Sequence, residues 1–124
     1  CRGMQLLNVA LGGDIIQHIE NHKQHEPRNI ATHTVNLSGK LAELLKVEQI
    51  NVNSIHHQAL DSIARDLEIC AVSPDGIAEA VCMPEMGFVY AVQWHPEEIF
   101  EEYPAQKRLF CEFIQACSQA LKTK

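Results

Sequence analysis

The sequence predicts a mixed domain of helices and strands, α/β or α+β in class. Three observations predict it. Residues 67–94 hold three strand-like runs, "LEICAVS", "IAEAVCM" and "FVYAVQW", set apart by the turn chemistry of "SPDG" and "MPEMG". Residues 104–121 carry Leu109, Phe110, Phe113, Ile114, Cys117 and Leu121 at helical spacing. Ahead of both, helical and strand-like patterns follow one another with no repeat, linker or low-complexity block. A length of 124 residues fits one small domain.

Taken in order, "MQLLNVAL" (4–11) reads as a helix stopped by Gly12 and Gly13. The stretch "DIIQHIENHKQ" follows and fades into the polar run "HEPRNIATH", through which Pro27 disfavours a helix. "HTVNL" (33–37) alternates like a short strand. "GKLAELLKV" (39–47) places Leu41, Leu44 and Leu45 on one helical face. "QINVNS" (49–54) is rich in β-branched residues and runs into the polar cluster "NSIHHQ". "LDSIARDL" (60–67) reads as a short helix or an irregular link. After the three strand-like runs, "HPEE" leads irregularly to Pro104, which suits the first turn of the last helix.

Composition narrows the function classes. A net charge of −6 with scattered basic residues argues against a nucleic-acid binder. No apolar run approaches the roughly 20 residues of a membrane helix. Five cysteines, an odd number with no C-x-x-C, point to a reducing, cytoplasmic setting. Cys70 and Cys82 in strand-like runs, and Cys111 and Cys117 in the last helix, read as buried small hydrophobes.

Cys1 is different. It precedes a helix, whose positive N-terminal end favours a thiolate. Gly3 permits a tight turn and close approach of a substrate. The Arg2 backbone N–H is placed to donate to an oxyanion. "QWHPEE" supplies the complement. His95 and Glu97 stand two apart after an apolar strand and can project to one side. A carboxylate orienting an imidazole that meets a thiol is the Cys–His–acid form of the nucleophile triad. A strand before Cys1, which a strand–turn–helix nucleophile site needs, is not in the sequence.

Four stretches, "CRGMQLLNVALGG", "VNSIHHQAL", "SPDGIAEAV" and "VQWHPEE", resemble in wording and order the class I glutamine amidotransferase-like proteins. Within them they are most similar to the peptidase C26 branch, the γ-glutamyl-γ-aminobutyrate hydrolases. The resemblance runs from Cys1 to the last helix. It implies a three-layer α/β/α, flavodoxin-like fold around a mainly parallel sheet. Residues 1–124 would be the C-terminal part of a single such domain, with the N-terminal half outside this chain. That half, with its glycine-rich loop and second oxyanion donor, is the expected partner.

The resemblance implies Cys1 as nucleophile, His95 as general base and acid, and Glu97 as the residue orienting His95. It implies a substrate-binding set of Arg2, Gly3, Gln5, Ser54, His56, His57 and Gln58. For His56 and His57 a substrate contact and a loop-shaping role stay open. The implied activity is hydrolysis of γ-glutamyl amides through a γ-glutamyl thioester, in polyamine breakdown, with no cofactor and no metal. A glutaminase delivering ammonia to a synthase partner is the alternative. Two more distant readings are a self-processed N-terminal-nucleophile enzyme and a degenerate, non-enzymatic homologue. The leaving amine and the state of oligomerisation are left open.

His18, His22 and His25 have spacing that would align imidazoles on a helix face. No cysteine or carboxylate completes a ligand set, so a solvated surface stretch is expected there. His33 matches a position often occupied by histidine in the family, without a derived role. Apart from Glu97, the acidic cluster of Glu98, Glu101 and Glu102 is expected to face solvent.

Overall fold

The computed structural model describes residues 1–122. Three helices and a short 3₁₀ turn surround two sheets. The elements are α1 (Arg2–Ala10), β1 (Ile15–Ile16), β2 (His33–Leu37), α2 (Gly39–Leu45), β3 (Gln49–Val52) and β4 (Ala59–Leu60). They continue with β5 (Glu68–Val72), β6 (Ala78–Cys82), β7 (Tyr90–Val92), the 3₁₀ turn Pro96–Glu98 and α3 (Pro104–Lys122). No helix among the described residues is long and apolar enough to cross a membrane.

The main sheet has the order β3-β2-β5-β6-β7. Every pairing among the described strands is antiparallel. The parallel strands that the resemblance implies are therefore not among these residues. For β5, β6 and β7 the cause is local: the turn 73–77 and the loop 83–89 are far too short for the crossover that parallel pairing requires. Gly76, at φ +89°, and the Ser73 N–H to Ile77 O bond at 2.9 Å close the β5–β6 turn.

Helices cover both faces of the sheet, giving three layers. On one face α2 and α3 bury Leu41, Leu45 and Leu109 against Val35, Val52, Cys70, Ala80, Cys82 and Trp94. On the other, Met4 of α1 packs with Leu60, Ala64, Leu67 and Val81. β6 lies inside the sheet and is buried along its whole length. Its alternation sends Ala80 and Cys82 to the α2–α3 side, and Val81 to the α1 side together with Glu79.

Asn8 explains why α1 stops and where it docks. Its buried amide donates to Asp14 O at 3.0 Å and Ser62 O at 2.9 Å, and its oxygen accepts from Ala64 N–H at 2.8 Å. A Cβ on Gly13 would collide with that amide, and Gly12 takes φ +108°. The glycine pair thus ends the helix by letting the chain fold over Asn8.

Two readings change and one alternative is decided. The stretch after Gly13 is no helix: Ile15 and Ile16 pair with Leu60 and Ala59, and the chain then runs irregularly to His33. "LDSIARDL" takes the irregular alternative, its Leu60 belonging to β4. The apolar stripe of α3 is buried only near its start, where Leu109 enters the core and Gln106 bonds Trp94 Nε1 at 2.8 Å. Farther along, Phe110 meets Phe100 and Phe113 meets Phe88 at the surface. Cys111 and Cys117 are accordingly exposed, against expectation, whereas Cys70 and Cys82 are buried. Burial, with the Cys82 thiol beside it, pushes the Cys70 thiol far above the usual cysteine range.

Candidate active site

Cys1 caps the N-terminus of α1. The first N–H groups of a helix have no intrahelical acceptors. The Arg2 N–H, in the first turn beside Cys1, is therefore left without an intrahelical acceptor. Cys1 is fixed against β7 by its own N–H, which donates to Val92 O at 2.8 Å. Its sulfur accepts from Gln93 Nε2 at 3.1 Å. Gln93 is fully buried, and its oxygen accepts from Gln5 Nε2 at 3.2 Å. Gln5 Nε2 also donates to Gln58 O at 3.2 Å. A chain of amides thus runs from the loop at Gln58 through Gln5 and Gln93 to the thiol.

His95 lies three residues past Val92, so Cys1 and His95 are both held at the same end of β7. Its Nδ1 is 3.0 Å from Glu97 Oε2. A carboxylate only accepts, so Nδ1 carries the proton and Nε2 keeps its lone pair. Pro96 begins the 3₁₀ turn that swings Glu97 back to the ring. Glu97 is more than half exposed, so this contact orients more than it stabilises. Asn53 holds the His95 backbone from both sides: its oxygen accepts His95 N–H at 2.8 Å, and its Nδ2 donates to His95 O at 3.1 Å. The same Nδ2 reaches Arg28 O at 2.8 Å.

The expected substrate residues divide into two groups. Arg2 and Gly3 are exposed on the first turn of α1, and a Cβ at Gly3 would meet open space. Gly3 is helical, so no special turn is needed there. Gln5 is buried with its amide turned inward. Ser54 is buried and donates to His22 O at 2.7 Å. His56 is buried toward Glu79. His57 is exposed, its ring centroid 5.9 Å from that of His18. Gln58 is half-buried and donates from Nε2 to Gln17 Oε1 at 2.9 Å.

Sequence reasoning missed Gln93 and Asn53 as functional residues, although both lie inside the quoted motifs. A polar residue at the buried end of an apolar strand was the available signal for Gln93. His22 also departs from expectation. It is buried, not solvated, because Lys23 bridges to Ile55 and draws this stretch onto the 53–58 loop.

Comparison with known proteins agrees with this architecture. The Peptidase C26 family model matches residues 1–97. A protein of Mycobacterium tuberculosis is 40% identical over 126 residues, covering 95% of this chain and 39% of that one. The γ-glutamyl-γ-aminobutyrate hydrolase PuuD of Escherichia coli is 36% identical, covering all of this chain and 54% of the enzyme. Among solved structures, a Thermoplasma acidophilum protein superimposes with a TM-score of 0.77 at 19% identity, over 99% of this chain and 57% of that one. A glutamine amidotransferase of Thermotoga maritima does so with a TM-score of 0.61 at 18% identity, over 99% and 46%. The fold is thus that of the class I glutamine amidotransferases, an α/β fold. The chain belongs to the peptidase C26 family, and it spans about half the length of most of the curated relatives it matches.

Proposed function

We propose that the protein hydrolyses γ-glutamyl amides, with γ-glutamyl-γ-aminobutyrate the model substrate. The observation that carries this reading is the His95–Glu97 pair at the end of the strand that also anchors Cys1. His95 Nε2 takes the Cys1 thiol proton, and the resulting thiolate attacks the γ-carbonyl carbon. The Arg2 N–H donates to the oxyanion, and a second donor comes from the other half of the domain. His95 protonates the departing amine, leaving a γ-glutamyl thioester. His95 Nε2 then takes a proton from water, whose oxygen attacks the thioester; glutamate is released, and His95 returns the proton to the departing sulfur, restoring the thiol. Glu97 holds the ring and stabilises its charged form. The chemistry requires no cofactor. The kinship with PuuD, a γ-glutamyl-γ-aminobutyrate hydrolase, supports this reading.

The test uses the full-length protein with γ-glutamyl-γ-aminobutyrate and with glutamine. Preference for the former, abolished by Cys1→Ala, is the expected result. Preference for glutamine, raised by a synthase partner, would replace this reading by an ammonia-delivering glutaminase. Activity that survives His95→Asn would remove His95 from the mechanism.

A further inference from the structure

Glu79 is a carboxylate with no exposed surface, in the middle of the fully buried strand β6. Neither of its oxygens has a hydrogen-bond partner. Three imidazoles face them instead. His56 Nε2 is 3.5 Å from Oε2, His33 Nε2 is 3.6 Å from Oε1, and His22 Nδ1 is 3.9 Å from Oε1. An isolated buried carboxylate is costly, so something positive must complete this group.

The outer hydrogen bonds show which ring nitrogens carry lone pairs. His22 Nε2 is 2.7 Å from Asp75 Oδ2, an acceptor, so Nε2 bears the proton and Nδ1 is free. The Ser54 hydroxyl, 3.5 Å from that Nδ1, spends its proton on His22 O. His56 Nδ1 donates to Gln58 O at 2.8 Å, so its Nε2 is free. Two lone pairs and a carboxylate therefore converge. An Nε2–H tautomer of His33, or one added proton, satisfies a single Glu79 oxygen and leaves the rest facing one another. A single cation meets His22 Nδ1, His33 Nε2 and Glu79, whose ligand atoms all lie within 4.8 Å of one another, and leaves the second Glu79 oxygen to His56.

We infer that His22 Nδ1, His33 Nε2 and Glu79 form a divalent-metal site, with zinc the best-suited ion and a fourth position open to water. Ligand atoms about 2.1 Å from a tetrahedral zinc stand about 3.4 Å from one another. The separations of His33 Nε2 and His22 Nδ1 from Glu79 Oε1, 3.6 and 3.9 Å, exceed that edge by only a few tenths of an ångström. Two imidazoles and one carboxylate suit zinc in donor type. Asp75 on His22 is the outer acceptor that metal-bound histidines characteristically have. An entry path exists as well. His33 is partly exposed and lines a cavity of about 470 Å³, together with Ser54 and His57. The ion would have a structural role, tying His22 and His33, at the two ends of the 22–33 stretch, to β6. It is separate from the proposed hydrolysis, which needs no metal.

The test is metal binding by the full-length protein without substrate, so its outcome is independent of the catalytic reading. The protein is stripped with a chelator, dialysed, and titrated with Zn²⁺ and with Co²⁺. One equivalent of each should bind, and Co²⁺ should give the intense visible bands of a four-coordinate ion. Glu79→Gln and His33→Gln should each weaken binding at least 100-fold, and Asp75→Asn by about 10–100-fold. His18→Gln and His25→Gln, at exposed positions, should leave it unchanged. Failure of the unmutated protein to bind an equivalent overturns the proposal, and needs no variant to fold. So does a weak, six-coordinate Co²⁺ spectrum that disappears in His18→Gln or His25→Gln.

Discussion

At the end of β7, polar side chains satisfy one another: Gln5 donates to Gln93, Gln93 donates to the Cys1 sulfur, and Asn53 grips the His95 backbone. One strand over, on β6, Glu79 and His56 face each other across 3.5 Å with neither atom hydrogen-bonded. The two groups are joined by main chain, since Gln93 N–H donates to Glu79 O at 2.7 Å. The difference is chemical. A satisfied network holds the Cys1 thiol in one place. An inward-facing set of acceptors is stable only when a cation joins it.

The largest expected effect lies on the satisfied side. Cys1→Ala and His95→Asn should each lower γ-glutamyl amide hydrolysis by the full-length protein by about three to four orders of magnitude. Unfolding midpoints should barely move, because both side chains are partly exposed. A large loss of stability in either variant would mean that these residues hold the fold rather than perform the reaction.

Asn53→Ala should come next. Asn53 acts on the reaction only through His95, as a positioning residue. Loss of both bonds to the His95 backbone should reduce kcat about 10–100-fold with KM little changed. An equal rise in KM would place Asn53 in substrate binding instead. Gln93→Leu tests the chain of amides that ends on the thiol. It takes the acceptor from the buried Gln5 amide, which keeps only Gln58 O, and costs about 1–3 kcal/mol in urea unfolding. It also removes the donor to the thiol, so the rate of Cys1 alkylation should change. An unchanged rate would show that the Gln93–Cys1 contact does not govern the thiol.

How much of this was legible in the sequence follows the range of each interaction. Cys1 before a helix, and His95 two residues from Glu97, are local patterns, and the structure places all three at one end of β7. The runs 67–73, 77–83 and 88–94 became β5, β6 and β7 because Pro and Gly marked their turns. Asn53 and Gln93 act across the fold, through partners tens of residues away, and no spacing announces such pairs. Glu79 did leave a trace, an acid inside "IAEAVCM", which becomes unusual only once that strand is buried on both faces. The histidine spacing at 18, 22 and 25 misled because it presupposed a helix. With β1 and the Lys23–Ile55 bridge in its place, His22 turns inward alone. The α3 stripe showed helical periodicity correctly, yet periodicity does not say whether anything covers the face.

The smallest effect should appear at the loop that serves both groups. The Ser54 hydroxyl donates to His22 O at 2.7 Å, but His22 O also accepts from His56 N–H at 2.9 Å. Ser54→Ala therefore leaves no acceptor stranded. The Ser54 N–H keeps Gln24 Oε1 at 2.7 Å, and Ser54 O keeps Gln24 N–H at 2.8 Å. The expected cost is about 0.5–1.5 kcal/mol in urea unfolding, the ordinary worth of one hydrogen bond. A cost well above that range would mean that the backbone pairing of the two loops is weaker than its geometry indicates. Ser54, rather than the main chain, would then set the position of His22 opposite Glu79.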